Sequence, residues 1–204
     1  MPCYALDEVV PIVHPGAYVH PAAVLIGDVI VEEACYIGPC ASLRGDFGRI
    51  VLDKGVNVQD SCVLHGFPGR ETRVHPNGHI GHGAIIHSCT VGRDVLVGMN
   101  AVVMDDADIG AQSIIAACAF VPSGMRVPPR SLVTGLPAKI KRELTDEEIE
   151  WKWEGTRAYQ DLTRRCLASL REVAPLREWP AERPSLNTPS VEALSALKRR
   201  AASP

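Results

Sequence analysis

From position 91 to position 133 the chain reads VGRDVLVGMNAVVMDDADIGAQSIIAACAFVPSGMRVPPRSLV. Every sixth residue of this stretch is aliphatic, and the series runs without a break through Val91, Val97, Val103, Ile109, Ile115, Val121, Val127 and Val133. An α-helix repeats about every 3.6 residues and a flat strand about every two, so neither element alone produces this period. A chain that forms a short strand, turns a corner and forms another strand does produce it. The stretch therefore predicts a solenoid of stacked coils.

The same spacing is present upstream, with a slip of one residue. Its members are all apolar: Val19, Leu25, Val31, Ile37, Leu43, Ile50, Val56 and Cys62. Three hexads close a triangular coil of about 18 residues, in which each inward residue stacks on the equivalent one in the next coil. We therefore predict a parallel β-helix over residues 1–140. Its left hand is inferred from known hexapeptide-repeat families, because spacing alone does not determine handedness.

One polar segment interrupts the spacing. Residues 66–78 read GFPGRETRVHPNG, which is rich in turn-forming residues. We predict a loop inserted near 66–78 at one corner of the solenoid, and long loops in compact domains are often functional.

The solenoid is predicted to end near residue 140. Thr145 followed by Glu148 is the pattern of a capping box and indicates the start of a helix. We assign residues 141–175 to a C-terminal helical segment that packs along the solenoid. Several prolines from 175 onward exclude a continuing helix, so the tail, residues 176–204, is expected to be flexible, with docking on another subunit as the alternative.

Composition excludes several functional classes. Of the 204 residues, 46% are hydrophobic but only 5% are aromatic, so the core must consist of small aliphatic side chains. A net charge of -3 provides no basic field for a nucleic acid. No apolar run is long enough to span a membrane, and the N-terminal residues lack a secretory-signal pattern. Seven cysteines without a CxxC pair favour small buried hydrophobes in a reducing cytoplasm.

Three histidines have a spacing that suits a metal ion: His65, His82 and His87. His65 and His82 lie close to one coil apart, so we expect them to stack at the strand spacing of about 4.8 Å. His82 and His87 are separated by about one face of the triangle. Three neutral imidazoles with one open position are how catalytic zinc is bound. The alternative is that these are exposed corner histidines of a solenoid.

Charged residues precede the first of these histidines. Arg44 and Asp46 occupy alternate positions of a predicted strand, so they face the same side. Arg44 is a candidate for an ion pair with Asp46 or with Asp60, and such a pair is as compatible with a structural role as with a functional one.

On a hexapeptide spacing, these motifs resemble the γ-class carbonic anhydrase family. The matching residues are Arg44-Gly45-Asp46, Gln59-Asp60, His65 and Gly81-His82-Gly83-Ala84-Ile85-Ile86-His87. More narrowly, the chain resembles the members of that family that belong to phenylacetate degradation, and their carnitine-operon relatives. The resemblance covers about residues 10–173. It implies a homotrimer with a metal ion at each subunit interface.

The resemblance implies which residues bind that ion. His65 and His87 would come from one chain and His82 from its neighbour. Zn²⁺ is the expected metal, although iron or cobalt also suit three imidazoles.

The resemblance also implies roles for the polar residues nearby. Arg44 and Asp60 would pair across the interface, with Asp46 in the same network. Gln59 would hydrogen-bond the metal-bound water, and Tyr159 matches an active-site tyrosine of the family.

Zinc lowers the pKa of bound water from about 15.7 to about 7, so hydroxide is available to attack a thioester carbonyl or CO2. The best-studied members of the family carry glutamates near the site that shuttle protons. Here Phe47 follows Asp46, and the loop after His65 has only one acid, Glu71, next to Arg70, which argues against fast CO2 hydration. We therefore expect a cytoplasmic zinc-dependent hydrolase, an acyl-CoA thioesterase that clears dead-end CoA esters in phenylacetate degradation. Carbonic anhydrase activity, a non-catalytic metal-binding trimer and a hexapeptide acyltransferase are the alternatives.

Overall fold

The computed structural model describes residues 3–186 and 188, in which short strands are followed by a helix. The first strands are β1 (Cys3–Tyr4), β2 (Ile12–Val13), β3 (Tyr18–Val19), β4 (Val24–Val31), β5 (Tyr36–Ile37), β6 (Ser42–Leu52), β7 (Asn57–Val58), β8 (Val63–His65), β9 (Glu71–Val74) and β10 (His79–Ile80). They are followed by β11 (Ile85–His87), β12 (Thr90–Val91), β13 (Leu96–Val97), β14 (Val102–Val103), β15 (Asp108–Ile109), β16 (Ile114–Ile115), β17 (Phe120–Val121), β18 (Arg126–Val127), β19 (Ser131–Gly135), β20 (Ala138–Glu143) and the helix α1 (Asp146–Ser169).

The strands wind around one axis in about seven turns, each with three faces. Face A contains β1, β8, β11, β14, β17 and the first halves of β4 and β6. Face B contains the second halves of β4 and β6 together with β2, β9, β12, β15 and β18. Face C contains β3, β5, β7, β10, β13, β16 and β19. The predicted left-handed parallel β-helix with a C-terminal helix is confirmed.

The core of the solenoid consists of the apolar residues that the six-residue spacing selects. All of them are buried. On face A, for example, Leu64 pairs in register with Leu43 in one neighbouring coil and with Ile86 in the other, and all three are fully buried. Burying one such aliphatic side chain contributes roughly 1.5–3 kcal/mol, so the ladder of stacked residues stabilises the coil array.

Many corners are turned by residues other than glycine. Cys40 and Cys118 both have a φ of +59°, in the left-handed region, and both are exposed. Only Cys35, Cys62 and Cys89 are buried, so the expectation that most cysteines are buried hydrophobes is wrong. The reason is local: a corner residue in this conformation points away from the axis. All seven cysteines are free thiols.

The predicted loop near 66–78 is shorter than expected. Only residues 66–70 leave the path of the coil, because β9 begins at Glu71 and pairs with the second half of β6. Within β9, Thr72 and Val74 are buried, whereas Glu71 is exposed. This alternation of inward and outward residues is that of a strand with one buried face.

The helix α1 begins with the predicted capping box. The Thr145 side chain accepts a hydrogen bond from the Glu148 N–H, and the Glu148 side chain accepts one from the Thr145 N–H. From the last coil the helix runs back along face C toward the first coils, where Tyr159 packs against Tyr36. The Gln160 side chain donates to the Gly55 carbonyl.

The C-terminal segment is less helical than predicted. Of the predicted helical residues 141–175, the first three belong to the strand β20, which pairs antiparallel with β19. The helix α1 ends at Ser169, before the predicted end. Most of the predicted flexible tail, from residue 189 onward and residue 187, lies outside the described residues. Among the described residues, no helix has the length and apolar character needed to cross a membrane.

Candidate functional site

His65 and His87 lie side by side at the corner between faces A and B. They are partners in the pairing of β8 with β11, and His65 Nδ1 is 3.2 Å from His87 Nε2. The sequence-based expectation that His65 stacks on His82 is wrong. The bulge of residues 66–70 lengthens this coil, so the residue one coil away from His65 is His87, 22 positions along the chain.

A carboxylate holds each ring of this pair from its other side. Asp46 Oδ1 is 2.9 Å from His65 Nε2, and Asp105 Oδ1 is 2.5 Å from His87 Nδ1. A carboxylate can only accept from an imidazole N–H when it is ionised, so this geometry favours the tautomers in which the N–H groups point at Asp46 and Asp105. In those tautomers the two facing nitrogens are both acceptors, 3.2 Å apart, and a proton or a cation between them would join them.

The spacing of the two facing nitrogens suits a shared zinc ion, of which they would be two ligands. Two nitrogens at about 2.0–2.1 Å from one tetrahedral ion are roughly 3.3 Å apart, close to the 3.2 Å found between His65 and His87. Metal-binding histidines almost always donate their second N–H to a carboxylate or a carbonyl. Asp46 and Asp105 supply that arrangement.

Asp105 is a site residue that the sequence analysis missed. It follows His87 by 18 positions, which is one regular coil. A search for carboxylates one coil away from each histidine would have found it. Arg44 and Asp46 form an ion pair at 3.2 Å, which is one of the two pairs predicted from the sequence.

Two phenylalanine rings flank the histidine pair. Phe47 lies 5.5 Å from His65 and Phe67 lies 5.3 Å from His87, measured between ring centroids. Both are well exposed. Phe67 is positioned by its backbone N–H, which donates to Ser88 Oγ at 2.7 Å. The bulge after His65 therefore places apolar surface, not acidic side chains, beside the two imidazoles.

His82 lies at the other end of face A, at the corner between faces C and A. His82 precedes the strand β11, whereas His87 is the last residue of that strand. Its Nδ1 is 2.5 Å from Asp60 Oδ2, and both side chains are nearly half exposed. Within one chain, therefore, the three predicted ligands are not brought together. Across residues 3–186, no group of three His, Cys, Asp or Glu side chains is placed to hold an ion.

Gln59 belongs to the His82 corner. Its Oε1 accepts from the His82 N–H at 3.2 Å, and its Nε2 donates to Asn57 Oδ1 at 3.1 Å and lies 2.6 Å from His79 Nε2. Because the amide nitrogen can only donate, His79 Nε2 must be an acceptor. Burial lowers the pKa of His79 to about 3, which keeps this imidazole neutral.

Tyr159 lies at the same corner. Its ring centroid is 5.3 Å from that of His79 and 5.4 Å from that of Tyr36. Burial raises the pKa of Tyr159 to about 12, so the phenol is protonated at neutral pH. The predicted site residues thus form two groups. One surrounds the His65–His87 pair, and the other surrounds His82.

A cleft of 510 Å³ opens beside the His82 corner. Face C forms its floor and the first half of α1 forms its wall. Gln59, His79, His82 and Tyr159 line one end, and Trp151 and Leu132 lie farther along. Its size is that of pockets which bind small molecules, roughly 300–1,000 Å³.

Comparison with known proteins agrees with the architecture. The family described as "Bacterial transferase hexapeptide (six repeats)" matches residues 88–123. A carnitine operon protein CaiE from Citrobacter koseri is 56% identical over 186 residues, which cover 91% of this chain and 94% of the relative. CaiE from Salmonella agona is 54% identical over the same coverage of both chains.

Solved structures show the same fold. A hexapeptide transferase family protein from Anaplasma phagocytophilum superposes with a TM-score of 0.77 at 34% identity, covering 80% of this chain and 97% of the other. A Bacillus cereus protein superposes with a TM-score of 0.80 at 32% identity, covering 81% and 96%. The narrower resemblance to the phenylacetate-degradation protein PaaY, and the placement in the γ-class carbonic anhydrases, stay predictions. The chain belongs to the hexapeptide-repeat protein family that includes the carnitine operon protein CaiE.

Proposed function

We propose that this protein is a zinc-dependent acyl-CoA thioesterase that works as a cytoplasmic homotrimer. Each zinc ion would be bound by His65 and His87 of one copy and His82 of the next. When bound, the ion supplies a water of lowered pKa and polarises the carbonyl of the substrate.

The observation that carries the metal proposal is the pair of facing ring nitrogens. His65 and His87 present two lone pairs 3.2 Å apart, and Asp46 and Asp105 hold the opposite N–H groups. Two facing lone pairs repel each other, and either a shared proton or a divalent cation would remove that repulsion. With the cation, one further neutral imidazole would complete a three-histidine site with an open position.

The trimer is supported by the outer surface of face A. Its outward residues form an apolar ladder from coil to coil, in which Val63 pairs with Ile85 and Ile85 with Val102. Val63 and Ile85 are 37% and 39% exposed, although both belong to the middle of the sheet. A second copy seated on this face would bury the ladder and bring its own His82 corner toward the His65–His87 corner.

The chain's own residues would perform the remaining tasks. Asp46 and Asp105 orient the imidazoles. Gln59 orients the His82 backbone through its Oε1. Tyr159 holds a proton on its phenol oxygen at neutral pH, so it is able to donate a hydrogen bond at the His82 corner.

The test combines metal analysis with acyl-CoA hydrolysis on the same sample. The wild-type protein should contain one zinc ion per chain and release CoA, and chelation should stop the release. His87→Ala and Asp105→Asn should lose metal and activity together. His75→Ala is the matched control, because His75 contacts Asp53 at 3.1 Å in a similar His–Asp pair on another corner. Full hydrolysis by the His87→Ala protein would refute the proposal.

Two resemblances of this chain to other proteins determine which thioesters are tested. Phenylacetyl-CoA and its ring-oxidised derivatives test the proposed clearance of dead-end CoA esters in phenylacetate degradation. The CoA thioester of carnitine is included because the relatives are named for a carnitine operon.

A hexapeptide acyltransferase is the second candidate, because the matching family is described as a transferase. Both activities would use acyl-CoA as the acyl donor. They differ in the acceptor of the acyl group, which is water for a thioesterase and an amine or alcohol for a transferase. Transfer of the acyl group to an added amine or alcohol, with no release of free acid, would favour the transferase. Fast CO2 hydration would favour a carbonic anhydrase, and bound metal without any turnover would favour a non-catalytic trimer.

A further inference from the structure

The cleft between α1 and face C has a continuous floor. The outward residues of four successive strands are aligned in register, His79 with Leu96, Leu96 with Ile114, and Ile114 with Leu132. At about 4.8 Å per coil, the floor is roughly 14 Å long. It runs parallel to the solenoid axis and begins at the His82 corner.

Polar and apolar groups are separated along this cleft. Gln59, His79, His82 and Tyr159 all lie at one end. Beyond them the lining is mostly apolar and includes Leu96, Met99, Ile114, Leu132 and Trp151, with the Thr134 side chain as a polar exception at the far end. Lys152 also borders the cleft, but its ammonium group donates to the Asn77 carbonyl at 2.9 Å. This polarity matches a ligand with a polar head and an apolar tail.

Gly155 lies in the wall of the cleft, in the interior of α1. Glycine weakens a helix interior relative to alanine, so its presence there calls for a reason. Close packing does not explain the glycine. An added Cβ would meet only His79 Cε1, at 3.9 Å, which is an ordinary van der Waals contact. The missing side chain keeps the cleft wide next to its polar end.

We propose that this cleft binds the apolar acyl group of the substrate, with the thioester at the His82 end and the acyl chain directed toward Leu132. Gly155 sets the width that a medium-chain or aromatic acyl group requires. The proposal rests on the thioesterase function proposed above, and it adds the substrate class: acyl groups larger than acetyl.

The test introduces a large side chain into the wall of the cleft. Gly155→Leu places a side chain in the cleft, whereas Glu154→Leu places the same side chain on the exposed surface of the same helix. For Gly155→Leu, we expect kcat/KM to fall at least about tenfold with hexanoyl-CoA and phenylacetyl-CoA, and to change less than about twofold with acetyl-CoA. Glu154→Leu should behave as wild type with all three. An unchanged chain-length profile in a folded Gly155→Leu protein would overturn the proposal.

A binding measurement separates this proposal from the proposed function. Hexanoate is the acid that hydrolysis would release, and calorimetry measures its binding without turnover. We expect it to bind to wild type and Glu154→Leu, and at least about tenfold more weakly to Gly155→Leu. If no thioester is hydrolysed but this pattern holds, the function is wrong and the cleft assignment stands. If hexanoate binds to none of the proteins, or equally to all three, the cleft assignment is wrong.

Discussion

Faces A and C of the solenoid have similar interiors and different exteriors. On both faces the inward residues are buried aliphatic side chains in register from coil to coil. On face C, α1 packs over the outward residues of β3, β5 and β7 and borders the cleft beside the later strands. On face A the outward apolar ladder around Val63 and Ile85 is left exposed by residues 3–186.

This difference indicates how one repeat serves two purposes. Inward residues determine the architecture, and outward residues determine what each face binds. Face C receives a helix of the same chain, which leaves a cleft at one corner. Face A, in our proposal, receives a second copy, which supplies the third histidine.

The largest effect is expected from charge on face A. Val63→Asp combined with Ile85→Asp should prevent trimer assembly, because a buried carboxylate without a partner is strongly unfavourable. We expect the mass in light scattering to fall to that of a monomer and hydrolysis to fall at least about 100-fold, because a metal ligand is lost.

The control for this variant is Thr90→Asp, which places a carboxylate on face B between Arg73 and Asp108. It should remain a trimer with normal activity. A Val63→Asp/Ile85→Asp protein that stays trimeric would show that face A is not the interface.

The next effect compares inward residues of the two faces. Ile86→Ala on face A and Ile115→Ala on face C both remove a fully buried side chain. Each should lower the free energy of unfolding by about 2–5 kcal/mol, measured by urea denaturation. In the monomeric Val63→Asp/Ile85→Asp background, the outward change Ile114→Ala on face C removes a side chain that is only 8% exposed. It should cost more than Val102→Ala, which removes a partly buried outward side chain of face A. Equal outward costs would show that face C is no better covered than face A.

A smaller effect concerns Lys152, the buried lysine with which α1 contacts the solenoid. Burial lowers the pKa of Lys152 from 10.5 to about 8, and Asp94 opposes this only in part. The folded protein therefore carries a desolvation penalty below pH 8, of about 3 kcal/mol for a shift of this size. The penalty declines as the pH rises through 8 toward 10.5, because the unfolded chain then binds more protons than the folded one.

Lys152→Met should remove this penalty and lose one hydrogen bond, to Asn77. We expect a gain of about 2 kcal/mol at pH 7. The difference from wild type should shrink between pH 8 and 10, as measured by urea denaturation across pH. A constant difference would mean that the lysine is not desolvated.

The smallest effect is expected at the start of α1. Thr145→Ala removes the N-cap and should cost about 1 kcal/mol in thermal or urea unfolding. Ser169→Ala, at the other end of the helix, loses only a bond to the carbonyl of Arg165 and should cost less than about 0.5 kcal/mol. A Thr145→Ala protein as stable as wild type would show that the ion pairs of Arg142 with Glu148 suffice to begin the helix.

The sequence predicts the inner ladder well, because the period of six depends only on which residues avoid water. It predicts the extent of the loop near 66–78 poorly, because only residues 66–70 leave the coil. Glu71 and Arg73 look like loop residues, yet they are the outward members of a strand whose inward members are Thr72 and Val74. Pairing with β6 is a long-range contact that local composition does not reveal.

The sequence predicts only part of the site, because the site also depends on long-range strand pairing. Residue types and the family resemblance select His65 and His87, but their stacking depends on how far the bulge lengthens one coil. Asp105 is one regular coil beyond His87, and its role appears only when the strands are aligned. The apolar cleft depends on where α1 lies on face C, which the spacing of apolar residues does not determine.

The path of α1 has a consequence for how the molecule unfolds. In a stacked array each coil contacts only its neighbours, so the ends are free to fray independently of the middle. Here Asp146 is joined to Arg130 in the last coil, while Tyr159 and Gln160 reach Tyr36 and Gly55 in early coils. The helix thus acts as a strap across the length of the array, and it links the opening of one end to the opening of the other. Since these contacts form only after the helix has been synthesised, a nascent chain would hold its coils without this cooperativity until residue 160 has left the ribosome.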